Sequence, residues 1–202
     1  MTSKKITNVL VSEGAEAKVY SAKVFGKECI AKIRHEKKYR NRILDLRLRR
    51  SRTKREARIM IKAAYCGIRV PRLVAVSEFS IYMERLDGES MKDSKYGMEI
   101  MENLGKELSK MHALGISHGD FTPANVLLSN NSFYIIDFGL SEISQSMESK
   151  AIDLLLMKRS NVKHFSSFEK GYSSWKGSRE ILNRLKEIEK RGRYQARTLS
   201  TA

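Results

Sequence analysis

Two short segments and the spacing between them constrain this chain more than anything else in it. His118-Gly119-Asp120-Phe121-Thr122-Pro123-Ala124-Asn125 is followed, twelve residues past Asn125, by Asp137-Phe138-Gly139. An Asp with an Asn five residues on sets a proton acceptor and a metal ligand on one short loop. A second Asp, at the end of the apolar run Phe133-Tyr134-Ile135-Ile136, supplies a further magnesium ligand. Transfer of a γ-phosphoryl group asks a protein for positioning and charge neutralisation rather than covalent chemistry, and these oxygen-bearing side chains serve both. Either segment alone also fits a turn capped by Asp and Asn. The two together, in this order, point to phosphoryl transfer, with Asp120 as catalytic base and Asn125 and Asp137 as metal ligands.

The same chemistry needs groups upstream. Glu28-Cys29-Ile30-Ala31-Lys32-Ile33 is an apolar strand with one lysine, and Lys32 suits the α- and β-phosphates of ATP. Glu56, an acid inside the basic run Thr53 to Met60, is the expected partner of that lysine, although an acid on a basic helix is also an ordinary surface i,i+4 partner. Between Val9-Leu10-Val11 and Lys18-Val19-Tyr20-Ser21-Ala22 lies Ser12-Glu13-Gly14-Ala15-Glu16-Ala17, a phosphate-covering loop with Gly14 where three glycines are usual. Alone it reads as a hairpin turn. Ser80 to Gly88 reads as a strand running into a linker, whose backbone at Glu84 and Leu86 meets the adenine edge, with a half-buried edge strand as the alternative.

Thirty-nine basic residues against twenty-three acidic give a net charge of +16. Much of the excess lies between Arg34 and Arg58, with Arg47, Arg49 and Arg50 at its densest point. A one-sided charge without a long apolar face implies attraction to a polyanion, RNA before membrane, with an acidic protein partner as the alternative. No apolar run approaches the roughly 18 residues that span a bilayer, and the first residues lack a signal-peptide core, so a cytoplasmic protein is expected. Cys29 and Cys66 lack metal-ligand spacing and are read as buried thiols in a reducing compartment.

Hydrophobic patterning predicts three strands over residues 5–33, helix over about 36–66, and strands over about 72–78 and 80–86. Met98, Met101, Leu104, Leu108 and Met111 predict an amphipathic helix from Tyr96 to Leu114, packed beneath the catalytic loop. Further helices are expected from Ala151 to Lys158 and from Ser178 to Arg191, before a polar tail. Asp153 is expected to brace the catalytic loop through backbone hydrogen bonds, and His118 to pack on Phe138 and hold the loop rather than act as base. Pro123 stiffens the loop ahead of Asn125. The fold class is α+β: one two-lobed, protein-kinase-like domain over residues 1–202, with a five-stranded N-lobe with one main helix over about 1–86, a helical C-lobe over about 87–190 and a basic tail over 191–202.

His118-Gly119-Asp120, the Gly14-Ala15-Glu16-Ala17 loop, Arg52-Thr53-x-x-Glu56-Ala57-Arg58 and the basic Gly192-Arg193-Tyr194-Gln195-Ala196-Arg197 together resemble the small atypical Ser/Thr kinase subunit of the KEOPS (EKC) complex, related to the RIO kinases. The resemblance runs from about Val9 to Arg197. It implies a reduced C-lobe, ATP and magnesium as cofactors, Ser/Thr kinase or ATPase activity, and assembly with the threonylcarbamoyl-adenosine synthase and other KEOPS subunits that act on tRNA. Two readings compete. A small-molecule phosphotransferase of the aminoglycoside or choline kinase type shares the loop, but needs a helical substrate subdomain for which only about 30 residues are available between Asp87 and Asp120. A pseudokinase scaffold is compatible with the depleted glycine loop, but not with intact Lys32, Asp120, Asn125 and Asp137. No Ala-Pro-Glu segment follows Gly139, so a broad peptide platform is not expected.

Overall fold

The computed structural model describes residues 9–130, 132–160 and 163–200, with side chains to Arg191. The chain groups into two compact units, Met1–Asp87 and Gly88–Ala202. Residues 5–8 of the first expected strand, and the side chains of the Gly192–Arg197 segment, lie outside what is described.

The first unit is a five-stranded antiparallel sheet in the order β1-β2-β3-β5-β4, with β1 Val9–Glu13, β2 Lys18–Val24, β3 Lys27–Ile33, β4 Leu73–Val76 and β5 Ser80–Glu84. Phe25 and Gly26 both have positive φ (49° and 78°), the backbone of the tight hairpin turn whose twist matches the flanking strands. Alternation along β3 puts Cys29 and Ala31 in a small-residue core with Ala22, flanked by Tyr20, Val24, Ile33, Val74 and Tyr82. Lys32 falls on the opposite face.

Helix α1, Arg42–Tyr65, follows β3. It starts later than the expected residue 36, because Asn41 caps it, its side-chain oxygen accepting from the N–H groups of Ile43 and Leu44 at 2.9 and 3.4 Å. Its buried face, Thr53, Glu56, Ala57, Ile59, Met60 and Ala63, recurs at three- and four-residue steps. It stops at Gly67 (φ +75°), where the N–H groups of Gly67 and Ile68 return to the carbonyls of Ala64 and Ala63. Cys66 sits in this cap and is exposed, so only Cys29 is the buried thiol the sequence suggested.

The second unit is mainly helical: α2 Met98–Ala113, α3 Met147–Arg159, α4 Phe165–Tyr172 and α5 Ser178–Ser200. Two small antiparallel sheets accompany them. One is ordered β6-β8-β9 (Glu89–Ser90, Val126–Ser129, Ser132–Ile135), and the other pairs β7 (Ile116–Ser117) with β10 (Glu142–Ile143). α2 buries Met101, Leu104, Leu108 and Met111 as its spacing requires, while Met98, first in the helix after Gly97, is 62% exposed. Its chief neighbour among the helices and strands is α4, a helix the sequence reading did not identify, and its His112 also bonds Asp153, which holds the 118–119 backbone. The two helices cross closely at two glycines. A β-carbon on Gly105 would lie 2.0 Å from the carbonyl oxygen of Phe168, and one on Gly171 would lie 1.9 Å from that of Glu102. α5 continues through the expected tail to Ser200. Among the described residues no helix is long and apolar enough to cross a membrane.

Candidate active site

In the first unit, β3 and α1 bring Lys32 and Glu56 together as expected. Lys32 Nζ donates to Glu56 Oε1 at 2.7 Å, and both side chains are buried. Sequence reasoning missed the third member. Arg34 Nη2 donates to Glu56 Oε2 at 2.6 Å, so one carboxylate holds two cations. Arg34 is 2% exposed, and its Nε and Nη1 have no acceptor among the described residues. The signal was present: Arg34 stands two residues from Lys32, hence on the same side of the extended chain. A buried guanidinium with two unmatched N–H groups is costly, and its attachment to Glu56 is what holds it there.

The glycine loop is tied at two points. Gly14 N–H donates to the Ala17 carbonyl at 3.0 Å, closing the turn, and Glu16 is ion-paired with Arg52 of α1. The Arg52 hydrogen bond holds the Glu16 carboxyl below its ordinary pKa, with Arg34 and Arg40 contributing at longer range. At Glu84 the N–H donates to the Arg72 carbonyl at 2.9 Å, and the carboxylate accepts from Arg72 N–H at 2.8 Å. The Glu84 N–H is thereby committed to Arg72, just ahead of β4, which narrows an adenine contact to the remaining main-chain groups there and at the half-buried Leu86.

In the second unit, the loop from His118 to Asn125 is shaped by neutral donors converging on one buried carboxylate. Asp153 of α3 accepts from the N–H of His118 at 2.7 Å and of Gly119 at 2.8 Å, the bracing its position suggested. Its Oδ2 also lies 3.1 Å from His112 Nε2, and His112 Nδ1 lies 2.7 Å from the Tyr172 hydroxyl. Burial pushes the His112 pKa down, against the pull of Asp153, and pushes the Tyr172 hydroxyl up. Both stay neutral, so Tyr172 O–H donates to Nδ1 and Nε2–H donates to Asp153.

His118 lies between Phe138 and Phe121, ring centroids 5.0 and 5.6 Å away, and burial lowers its pKa too. The neutral ring donates from Nε2 to the Ile136 carbonyl at 3.1 Å and accepts at Nδ1 from Asp120 N–H at 3.3 Å. It therefore couples the catalytic loop to the segment carrying Asp137. Gly119 has φ +81°, and a β-carbon there would lie 2.5 Å from the Leu140 carbonyl oxygen, so only glycine fits between His118 and Asp120.

The loop delivers Asp120 and Asn125 to each other. Asn125 Nδ2 donates to the Asp120 carbonyl at 2.8 Å and to Asp120 Oδ2 at 2.9 Å. The amide's protons are thus spent on Asp120, and its oxygen is the atom suited to a cation. Asp137 is exposed just past β9, with φ 61° and ψ 73°, a left-handed conformation that Asp adopts more readily than most residues with a β-carbon. Its Oδ1 accepts from Gly139 N–H at 3.1 Å. Asn125 and Asp137 offer only oxygen, as magnesium prefers, and an ion completed by phosphates and water needs few protein ligands. No cluster of three His, Cys, Asp or Glu side chains suited to a metal occurs among the described residues.

A family model described as the RIO domain matches residues 14–180, which places sheet, loop and Asp-Phe-Gly segment in a protein-kinase-like class. The chain is 38% identical over 217 positions to the KEOPS complex subunit Bud32 of Pyrococcus abyssi, across 95% of this chain and 99% of that one. It is 35% identical over 202 positions to a probable bifunctional tRNA threonylcarbamoyladenosine biosynthesis protein of Methanobrevibacter smithii, across 94% of this chain and 37% of that longer one. Among solved structures, the Rio2 kinase-ADP/Mg2+-phosphoaspartate complex from Chaetomium thermophilum matches with a TM-score of 0.66 at 15% identity, over 94% of this chain and 72% of that one. The last likeness is one of fold. The chain belongs to the Bud32 branch of the RIO-domain family.

Proposed function

We propose that this protein is a magnesium-dependent, ATP-consuming phosphotransferase and ATPase that works as a KEOPS subunit in threonylcarbamoyl-adenosine modification of tRNA. The observation that carries the reading is the double hydrogen bond from Asn125 to Asp120, which fixes a free carboxylate oxygen and an amide oxygen on one loop. Asp120 Oδ1 accepts the proton of a Ser/Thr hydroxyl or of water as that oxygen attacks the γ-phosphorus and the bond to the β-phosphate oxygen breaks. Lys32, steadied by Glu56, neutralises the α- and β-phosphates. Gly14 and its loop cover the phosphates, and main-chain groups at Glu84 and Leu86 take the adenine. Asn125 and Asp137 would hold magnesium, whose chemistry is to offset charge on the transferring phosphoryl group.

The relatives support the assembly: one is a KEOPS complex subunit, and another, a probable bifunctional tRNA threonylcarbamoyladenosine biosynthesis protein, joins a region like this chain to further sequence. Partners are then the synthase and other KEOPS subunits, with tRNA held by the basic surface. Within α1 we infer that this contact falls on Arg47, Lys54 and Arg58. Arg49 is ion-paired to buried Asp45 at 2.6 Å and Arg50 is paired to Glu78, whereas Arg47, Lys54 and Arg58 are exposed along one side of α1.

ATP hydrolysis and autophosphorylation, measured with and without the synthase, test the reading. Asp120→Ala lowers turnover by about 10²–10⁴-fold, the usual contribution of a general base, without loss of the folded circular dichroism spectrum. Turnover unchanged in that variant would remove the assignment. A rate indifferent to added synthase would leave a stand-alone kinase.

A further inference from the structure

Helix α4 is far along the chain from the catalytic loop, yet two of its side chains reach that loop. Phe168 lies against Phe121, the neighbour of Asp120, with ring centroids 6.2 Å apart. Tyr172, the last residue of the helix, reaches the loop through hydrogen bonds. Its hydroxyl lies 2.7 Å from His112 Nδ1, and His112 Nε2 lies 3.1 Å from Asp153 Oδ2. That same oxygen takes the His118 N–H at 2.7 Å, while Oδ1 takes the Gly119 N–H at 2.8 Å. Tyr172, His112 and Asp153 are all fully buried. The close crossing of α2 and α4 is what puts Tyr172 there. A β-carbon on Gly105 would lie 2.8 Å from the Tyr172 nitrogen, and Gly105 stands two turns before His112 on the same face of α2.

Packing alone does not call for a hydroxyl at this place. A phenylalanine would fill the same space edge-on to the imidazole, where the ring centroids are 5.5 Å apart and the planes 79° to each other. What the hydroxyl adds is a choice of tautomer. A neutral imidazole carries one N–H, and its neighbours decide which nitrogen bears it. With Tyr172 donating to Nδ1, the proton is held on Nε2, aimed at Asp153. In the other tautomer the Nε2 lone pair faces the carboxylate oxygen and repels it, and the buried phenol proton loses its acceptor.

We propose that Tyr172 is a positioning residue for phosphoryl transfer: by holding the His112 proton on Nε2, it keeps Asp153 turned to the 118–119 backbone and thereby keeps Asp120 in place. The proposal rests on the phosphotransferase reading above. Because Tyr172 acts through two intermediaries, its effect falls on turnover rather than on nucleotide affinity.

The test uses the full chain and the variants Tyr172→Phe, His112→Gln, His112→Asn and Tyr172→Phe/His112→Gln. The Gln amide extends to the place of Nε2 and cannot tautomerise, so it donates to Asp153 with or without Tyr172. The shorter Asn offers Tyr172 an acceptor but falls short of Asp153. The readouts are the nitrogen NMR shifts of the His112 ring, hydrogen exchange at the His118 and Gly119 amides, and steady-state ATP hydrolysis. In the wild type the shifts report the Nε2–H form. Tyr172→Phe gives a mixture of tautomers, speeds exchange at both amides and lowers kcat by about tenfold, with the KM for ATP within about twofold, the weight of one hydrogen bond felt in the transition state. His112→Asn reproduces that loss with Tyr172 in place. In the His112→Gln background, removing the hydroxyl lowers kcat by less than about twofold, a non-additivity that a packing role would not produce. Unchanged tautomer and exchange in Tyr172→Phe would overturn the proposal, as would equal losses with His and Gln at position 112 or a kcat loss no larger than the fraction of unfolded protein. Tautomer and exchange effects in a protein whose wild type turns over no ATP would reject the phosphotransferase reading and leave Tyr172 as the residue that orders the loop.

Discussion

The two units hold their chemical groups by opposite means. In the first, Glu56 faces Lys32 and Arg34 in a buried cluster with one more positive charge than negative. In the second, the loop that carries Asp120 and Asn125 is held by N–H groups converging on Asp153 and by two imidazoles kept neutral by burial. A charged anchor fails when its counter-charge is removed, because a stranded ion is left in low dielectric; a neutral network fails when its shape or protonation is disturbed. The difference teaches that like substitutions, one carboxylate in each unit, have unlike consequences.

The largest effect is therefore expected at Glu56. Glu56→Gln removes the carboxylate that Lys32 and Arg34 share, leaves the buried Arg34 charge uncompensated and costs about 3–5 kcal/mol, seen in chemical denaturation. Adding Arg34→Met to that variant recovers part of the loss, since one stranded charge goes. A double variant no more stable than the single one would show that Arg34 is not part of the anchor. Asp153→Asn comes next. It keeps the shape but exchanges an acceptor oxygen for an NH2 group facing N–H donors, at about 1–3 kcal/mol, with turnover falling alongside as the loop loosens. A similar drop for Glu56→Gln and Asp153→Asn would erase the contrast between the units.

Acid should find the second unit first. His112 and His118 have pKa values depressed below the usual 6.5 in the folded protein, with burial as the leading cause, so the unfolded chain binds the extra protons. Their contribution is present in full above pH 6.5 and is lost as pH falls below it toward the folded values. Hydrogen exchange at pH 7.5 and 5.5 should show protection falling around β7 and α2 before it falls in β2 and β3. Uniform loss across both units would mean that the imidazoles do not set the acid response. The smallest effect belongs to an exposed pair of the first unit: Arg50→Ala, which breaks the link to Glu78, changes stability by less than about 0.5 kcal/mol. A larger change would mean that solvent does not screen this pair as its exposure implies.

Reading the sequence reached the five strands of the first unit, the start of α5 and the Lys32–Glu56 and Asp120–Asn125 pairs, because each rests on local pattern or on a motif whose spacing is fixed by chemistry. It also reached Asp153 and the seat of His118 against Phe138. Arg34 was missed since a charged residue just past a strand reads as surface, and only the position of Glu56 in space takes it inside. Arg49 counted toward a basic face for the same reason, although Asp45 four residues earlier holds it. The short helix α4 was missed although Phe165, Phe168 and Tyr172 recur at three- and four-residue steps, because eight residues are a brief signal and its close packing depends on Gly105 and Gly171, whose contribution is the absence of a side chain.

That Gly119 admits no β-carbon has a consequence for control. In many kinases a basic side chain beside the catalytic aspartate lets a phosphate added to a distant loop order the active arrangement. Here that position is closed by the Leu140 carbonyl, and the loop is instead fixed from within by Asp153 and His118. A phosphate placed elsewhere on the chain would find no basic side chain at this position to pull against, so the shape of the loop rests on Asp153 and His118.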